Sequence, residues 1–457
     1  MVENERIPSL AIAVVRKGRI LWEEAFGYED IKKGIKASPF TIYPVASISK
    51  SLTATGVMTL IQRGLLDLDD PIEKHITPTE LTVYEGHASA VTVRRVLNMT
   101  AGIPNGYKVC RSMEVYPSLQ SFIPSYSFTA FPPGERELYS NFAYAILELL
   151  IETLSGLSFT DFMTQEVFNP LRLVQTSVGA PSIEKNVAMK YGTGFTLIPH
   201  NYFIPAAAGG IYSSIHDLIR YGLFHLGSQL PTQTPILDRK TLTTMHMVKD
   251  TNLQHTIMAL GWGSIDIGDE IVWLISNGSI EGATSMLSLV PSEDLAVACL
   301  TNMTSQSSIA DQVAIEVTDA LLPKFADRVA TFMQRYEQAS SFKSFQASPL
   351  FNGMWEGKIK THRDKVLIRI VFHTDGPISI RLDKGKNQLL RNVRIRDHEL
   401  EGDFRGRLPN SKNLQGDHTI DLHLKIRGNG ISGVATTRIG TDQDYAMLPY
   451  YIRLIRK

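Results

Sequence analysis

The stretch YPVASISKSLTATGVMTLIQRG, Tyr43 to Gly64, holds the tetrapeptide Ser47-Ile48-Ser49-Lys50 where an apolar run turns helical. Leu52, Val57, Leu60 and Ile61 recur at the spacing of a buried face, which predicts a helix from near Ser47 to Gly64. The same Ser-x-x-Lys spacing occurs at Ser182 to Lys185 and at Ser340 to Lys343, so spacing alone selects none of the three. Position does distinguish them. A serine at a helix start meets unpaired backbone N–H groups and a dipole that favour negative charge on its oxygen. Lys50, three residues on, returns to the same face. A lysine amine activates a serine only when burial and nearby positive charge lower its pKa, and the apolar flanks allow such burial. The plain alternative is an N-cap serine followed by a surface lysine.

Working outward, SLAIAVVRKGRILWEEAFGYED gives two strand-like runs, Leu10 to Val15 and Ile20 to Phe26, about a turn at Lys17-Gly18. Helix patterns follow in VTVRRVLNM, NFAYAILELLIETLSG, SFTDFMTQEVFNPL and SIHDLIRYGLFHLG. Strand patterns return in IMALGWGSI, EIVWLIS, ATSMLSLVP and DLAVACLTN. This order predicts an α/β (α+β) unit in which the two ends of residues 1–338 build one antiparallel sheet flanked by helices. A helix over Asp327 to Gln338 closes the unit and covers a face of that sheet. ASSFKSFQASP then reads as a linker, residues 339–349, and residues 350–457 as an all-β barrel of short strands such as VLIRIVFH and TIDLHLKIR.

Two further elements carry polar residues suited to chemistry. Tyr139-Ser140-Asn141 lies between a Pro-Gly turn and an apolar helix; a phenol relays protons and a carboxamide holds a carbonyl, while a packed tyrosine and a capping asparagine are the bland reading. Ser276-Asn277-Gly278-Ser279 interrupts an apolar strand; glycine there lets a ligand approach the backbone, and Asn-Gly is equally the commonest hairpin turn.

Composition narrows the class. Lys plus Arg and Asp plus Glu are 46 each among 457 residues, so no bulk attraction to nucleic acid or an anionic membrane follows. The charge is divided: residues 350–457 carry 20 basic against 12 acidic side chains, a net +8 that leaves −8 to the rest. A basic barrel docking on an acidic partner lobe and a merely solvated strand face both fit, and the alternation of Arg369, Arg381, Arg394 and Arg396 with apolar residues favours the second. Cys110 and Cys299 are too few for a disulfide framework or multi-cysteine zinc site, and the histidines are scattered, so neither metal nor cofactor is expected. No run reaches the roughly 18 apolar residues of a membrane span, and the first residues lack the pattern of a secretory signal. A cytoplasmic location is the favoured expectation, although a mature secreted chain would look the same.

The three polar elements, in this order, resemble the serine β-lactamase and penicillin-binding-protein superfamily, especially its class C-like esterase and peptidase branch. The resemblance extends over about residues 7 to 325 through VTVRRVLNMTAGIPNG, FPPGERELYSNFAYAILELLIETLSGLSF, VFNPLRLVQTSVG and AAAGGIYSSIHDLIRYG. It implies Ser47 as acyl-accepting nucleophile, Lys50 as general base, and Tyr139 as the group that shares proton transfer and activates the deacylating water. It also implies that Asn141 orients the substrate, and that the backbone N–H groups of Ser47 and Ser279 form an oxyanion hole beside Gly278. The chain departs from the family at Ser276, where a Lys or His is usual; a serine supplies no cation for a substrate carboxylate. The barrel, opening with FNGMWEG, resembles the lipocalin-like domain of some of these relatives, including self-compartmentalising peptidases and peptide-cyclising thioesterases. Together these imply a metal-independent serine hydrolase acting on a small-molecule or peptide acyl substrate, and a homo-oligomer is compatible. Acyl transfer from the same intermediate, and a non-catalytic binding protein of the same fold, are the alternatives.

Overall fold

Lys17 and Gly18 both take positive φ, 51° and 72°, the geometry of a tight hairpin turn joining β1 (Ser9–Arg16) to β2 (Arg19–Asp30). The structure, a computed structural model, describes residues 7–76, 81–111, 119–181, 186–248, 257–304, 308–344, 349–362, 364–373, 376–396, 398–408, 418–440 and 445–457. The Ser-x-x-Lys match at 182–185 lies outside them. After the hairpin a short 3-10 turn, Ala46–Ile48, leads into α1 (Ser49–Gln62). Every residue of α1 from Ser49 to Leu60 is buried, so it is a central helix rather than one with a single buried face.

Next come β3 (Tyr107–Cys110) and α2 (Asn141–Ser155). Ser140, not Asn141, caps α2: its hydroxyl accepts from the Ala143 N–H at 2.9 Å. Strand β4 (Tyr202–Ile204) pairs with β3, and the single turn α3 (Ala206–Gly209) follows, then α4 (Ile215–His225). The chain then lays down β5 (Gly263–Asp266), β6 (Val272–Ile280), β7 (Ala283–Val290) and β8 (Leu295–Thr301). Strand β8 pairs antiparallel with β1 from Leu10↔Thr301 to Arg16↔Leu295. The sheet order is β5-β6-β7-β8-β1-β2, with the short strand Ile35–Lys36 beyond β2, so both ends of this lobe meet in one sheet.

Helices α5 (Ile309–Leu321) and α6 (Phe325–Ser340) both cover one face, where Ile12, Val14, Trp273, Met286 and Val297 pack on Val313, Phe325 and Val329. The cover is therefore two helices, not one. On the other face Ala11, Ala13, Leu274, Leu287 and Ala296 join α1, α2 and α4 in the main core. Each such buried Leu or Val side chain contributes about 1.5–3 kcal/mol.

Two strand expectations shift. Strand β6 runs unbroken through Ser276 to Ser279, and the chain reverses at Glu281-Gly282, where Gly282 has φ 83°. The expected strand IMALGWGSI starts only at Gly263, because Gly261 at φ 81° cannot continue an extended chain.

The second lobe contains β9 (Gly353–Lys360), β10 (Lys365–Phe372), β11 (Ser379–Leu382), β12 (Arg391–Arg396), β13 (Glu399–Gly406), β14 (His418–Arg427), β15 (Gly430–Gly440) and β16 (Tyr445–Arg456). They curl in the order β12-β13-β14-β15-β16-β9-β10-β11 into a nearly closed barrel. Its interior holds Trp355, Ile359, Ile368, Ile370, Phe404, Leu422 and Leu454; β10 and β14 alternate buried with more exposed residues, whereas β15 and β16 carry runs of buried ones. Lys343–Ser344 already pairs with β12, inside the stretch read as linker. The outward arginines meet carboxylates across the strands: Arg369 with Glu356, and Arg394 with Glu401 at 2.9 Å.

The lobes share backbone. Strand β3 bonds along its other edge to β16, with Tyr107↔Met447, Lys108↔Ala446 and Val109↔Tyr445 in register. Gly106 permits this closeness, since a Cβ there would lie 2.2 Å from the Phe142 ring and 2.8 Å from Pro449. Among the described residues no single helix is long and apolar enough to cross a membrane.

Candidate active site

Ala46 adopts φ 46°, a left-handed conformation that costs a non-glycine residue about 1–2 kcal/mol. The kink turns the chain into the 3-10 turn that carries Ser47, and Ser47 lies partly exposed in a cavity of about 480 Å³. One helical turn on, the buried Lys50 places Nζ 3.1 Å from Ser47 Oγ and donates to the Ala208 carbonyl at 2.7 Å. Across the cavity the Tyr139 hydroxyl lies 2.7 Å from Ser47 Oγ, and Lys50 Nζ is 4.8 Å from the centre of the Tyr139 ring.

The electrostatics follow from this packing. Burial lowers the Lys50 amine below its usual range, against the opposing pull of Tyr139. Burial alone would raise the Tyr139 phenol, but the Lys50 ammonium and hydrogen bonds with Lys50 and Ser47 outweigh it and hold the phenol low. The two shifts converge, which eases movement of a proton among the three groups.

Asn141 opens α2 and lines the same cavity; its N–H and Nδ2 both donate to Asn105 Oδ1 at 3.0 Å. Its own Oδ1 is buried without a protein partner. Ser279 also lines the cavity. Gly278 faces the other way: a Cβ there would lie 2.5 Å from the Val45 carbonyl and 2.6 Å from the Ser47 N. The close approach that this glycine allows is thus made by the turn bearing Ser47. Ser276 is buried and donates to Ser51 Oγ at 3.1 Å, and it is not among the residues lining the cavity. Ser47, Lys50, Tyr139, Asn141 and Ser279 are brought together; Ser276 and Gly278 stand behind them.

A family model described as Beta-lactamase matches residues 1–320. The chain belongs to the Beta-lactamase family. This is a family of serine hydrolases related to penicillin-binding proteins. Protein flp of Staphylococcus aureus (strain NCTC 8325 / PS 47) is 25% identical over 323 residues, which are 67% of this chain and 61% of that protein. The chain therefore spans less than two thirds of that relative's length. The barrel lobe has counterparts as well. The octameric penicillin-binding protein homologue from Pyrococcus abyssi superposes with a TM-score of 0.61 at 19% identity, over 98% of this chain and 97% of that one. SurE in its structure with D-Leu gives a TM-score of 0.61 at 20% identity, over 98% and 96%. At these identities the likeness is one of fold.

Several residues of this candidate site carry no motif of their own. Asn105 fixes Asn141, and only the Pro-Asn-Gly turn around it marks the position. The Ala208 carbonyl that holds Lys50 belongs to α3, whose Ala207 N–H donates to the buried Glu148 carboxyl at 2.8 Å. Tyr107, Phe203, Glu281, Tyr445 and Met447 line the cavity from four separate parts of the chain. Among the described residues, no group of His, Cys, Asp and Glu side chains is arranged to hold a metal ion.

Proposed function

We propose that the protein is a serine hydrolase working through an acyl-enzyme on Ser47, with an uncharged ester, amide or peptide-like acyl donor as substrate. The observation that carries this is the pair of short contacts at Ser47 Oγ, 3.1 Å to Lys50 Nζ and 2.7 Å to the Tyr139 hydroxyl. The Ala208 carbonyl can only accept, so it takes one Lys50 N–H, and in the neutral amine the lone pair is left for the Ser47 proton. Ser47 Oγ then bonds to the acyl carbon as Lys50 takes that proton. Tyr139 passes it to the leaving group as the bond to the acyl carbon breaks. Water gives a proton to the same pair as it bonds to the acyl carbon, and that proton returns to Ser47 Oγ as the bond from Ser47 to the carbon breaks. The Ser47 and Ser279 N–H groups stabilise the oxyanion, an arrangement typically worth a few kcal/mol.

The cavity supports an uncharged donor. No described lysine or arginine lines it, Arg438 borders the adjoining cavity that shares Tyr107, Glu281, Tyr445 and Met447, Ser276 is turned onto Ser51, and Glu281 disfavours an anion. Ester and amide substrates that lack a carboxylate next to the acyl group are the class to screen. Because SurE was solved with D-Leu, N-acylated D-amino acyl esters, which carry no charge, belong in that screen.

Intact-mass analysis with a fluorophosphonate probe tests the reading. One adduct is expected on Ser47 and none on Ser47→Ala; an adduct elsewhere, or turnover unchanged in Ser47→Ala, overturns it. A non-catalytic protein would show ligand-induced thermal stabilisation and no adduct. Added amines that divert the acyl group from water would identify a transferase.

A further inference from the structure

We propose that Tyr107, Phe203, Tyr445 and Met447 form a subsite for a large apolar side chain on the acyl donor, so that the barrel lobe selects which acyl groups reach Ser47. This rests on the acyl-enzyme reading. The four side chains line the same 480 Å³ cavity as Ser47, Tyr139 and Asn141, within the size range of small-molecule sites. They enter it from both lobes, Tyr107 from β3, Phe203 from β4, and Tyr445 and Met447 from β16.

The wall is built and held. Tyr107 stacks on Phe203 with ring centres 5.2 Å apart and planes 20° apart, and meets Tyr445 edge-on at 6.0 Å and 86°. Backbone pairing of β3 with β4 on one side and with β16 on the other fixes the strands that carry the rings. Gly209, also in the cavity lining, lets the Phe203 ring pack close, because a Cβ at that position would already be 3.0 Å from the ring. All four side chains are half-buried, whereas Phe142 and Tyr450 are buried outright. Phe203 packs one side on the core, and the four still present surface to the cavity. Aromatic faces and an adaptable thioether suit an aryl or branched aliphatic group, and they offer an acetyl group little to touch.

Barrel residues make this a statement about specificity. Tyr445 and Met447 belong to a strand more than 300 residues from Ser47 in sequence, and the hydrogen bonds at Ser47 Oγ and Lys50 Nζ are made by Tyr139, Ser47 and Ala208 instead. Their expected effect is on the ratio of kcat/KM values for large and small acyl groups.

The test compares p-nitrophenyl esters of acetic, phenylacetic and 4-methylpentanoic acids on the full-length protein, with adduct formation followed by intact mass. The wild-type protein should prefer the two larger acyl groups by at least 10-fold. Met447→Trp, which fills the subsite, should cut that preference at least 10-fold, and Tyr445→Ala should change it by a similar factor. Retention of the folded far-ultraviolet dichroism and of the wild-type melting temperature within a few degrees establishes that a variant is comparable. Should Met447→Trp fail to fold, Tyr445→Ala alone decides. Equal rates for all three esters in the wild-type protein, or a ratio unchanged in the folded variants, overturns the subsite and leaves the acyl-enzyme intact. No adduct on wild-type Ser47 from any ester overturns the acyl-enzyme and the subsite with it.

Discussion

At the scale of single residues, two positions behind the cavity carry more consequence than their chemistry suggests. Gly278 has its Cα against the Ser47 turn, and Gly278→Ala would drive a methyl into the Val45 carbonyl and the Ser47 N. Displacing a nucleophile by about 1 Å costs on the order of 100-fold in rate, so acylation by an activity probe should fall by that order while the fold persists. Acylation rates within 3-fold of wild type would refute this. Glu148 is the second. Burial raises its carboxyl to about 8, with the Ala207 N–H holding it back, so at neutral pH it is mostly a neutral acid supporting the turn whose Ala208 carbonyl holds Lys50. The sign follows from its pKa, which is higher folded than unfolded. Between the ordinary glutamate pKa of about 4.3 and 8 the folded state binds the extra proton, so this group removes up to about 1.4 kcal/mol of stability per unit rise in pH. Glu148→Gln keeps the acceptor and cannot ionise. Its melting temperature should gain on the wild type as pH rises from 5 to 8, and a constant difference would show that Glu148 does not titrate there.

At the scale of elements, the loop PPGERELY before α2 shows what could be read in advance and what could not. Its position between a Pro-Gly turn and an apolar helix is legible, because proline, glycine and the helical period are local signals. The same local logic recovers the first hairpin, the Ser47 helix and the alternation of barrel arginines. It fails on β6, where Asn277-Gly278 has the chemistry of a turn but the strand continues, because Gly278 answers the crowding of residues 45–47, over 230 residues away. Tertiary proximity leaves no periodic trace. The loop's charged residues are of this second kind: Glu137 accepts the Ile257 and Met258 N–H groups at 3.0 and 3.1 Å, two residues before Tyr139. Glu137→Ala would leave two backbone donors without that acceptor, at about 1–3 kcal/mol each where they are buried. A melting temperature lowered by several degrees and slower labelling of Ser47 are expected, with partial rescue by Glu137→Gln, whose amide oxygen can still accept. Equal losses in both variants would mean that the charge, not the acceptor, matters.

At the scale of the molecule, the two lobes meet through ion pairs of both senses at that same loop. Glu135 receives Arg427 at 2.7 Å to both oxygens and Lys425 at 2.7 Å, while Arg136 donates to Glu399 at 2.6 Å, so the barrel grips the chain four and three residues before Tyr139. Only a few of the charges behind the +8 and −8 balance take part; Arg394, Arg396 and Arg438 pair within the barrel's own sheet, which is why net charge alone could not locate the contact. Burial pushes both carboxyls up, but the basic groups outweigh it: Arg427 and Lys425 hold Glu135 below the usual carboxylate range, and His423 and Arg136 hold Glu399 well below it. A pKa depressed in the folded state stabilises it fully above the unfolded value, about 4.3, and that stability is lost as pH falls from there toward the folded value. Acidification below about pH 4 should therefore loosen the barrel from the Tyr139 loop. Because Glu148 is protonated in both folded and unfolded chains at that pH, its opposite contribution is flat there. The double variant Glu135→Gln, Glu399→Gln should melt lower than wild type at pH 7, and the gap should narrow progressively as pH falls below about 4. Equal melting at pH 7 would mean that the seam holds by shape and not by charge, and Arg427→Met at pH 7 would then leave the labelling of Ser47 unchanged.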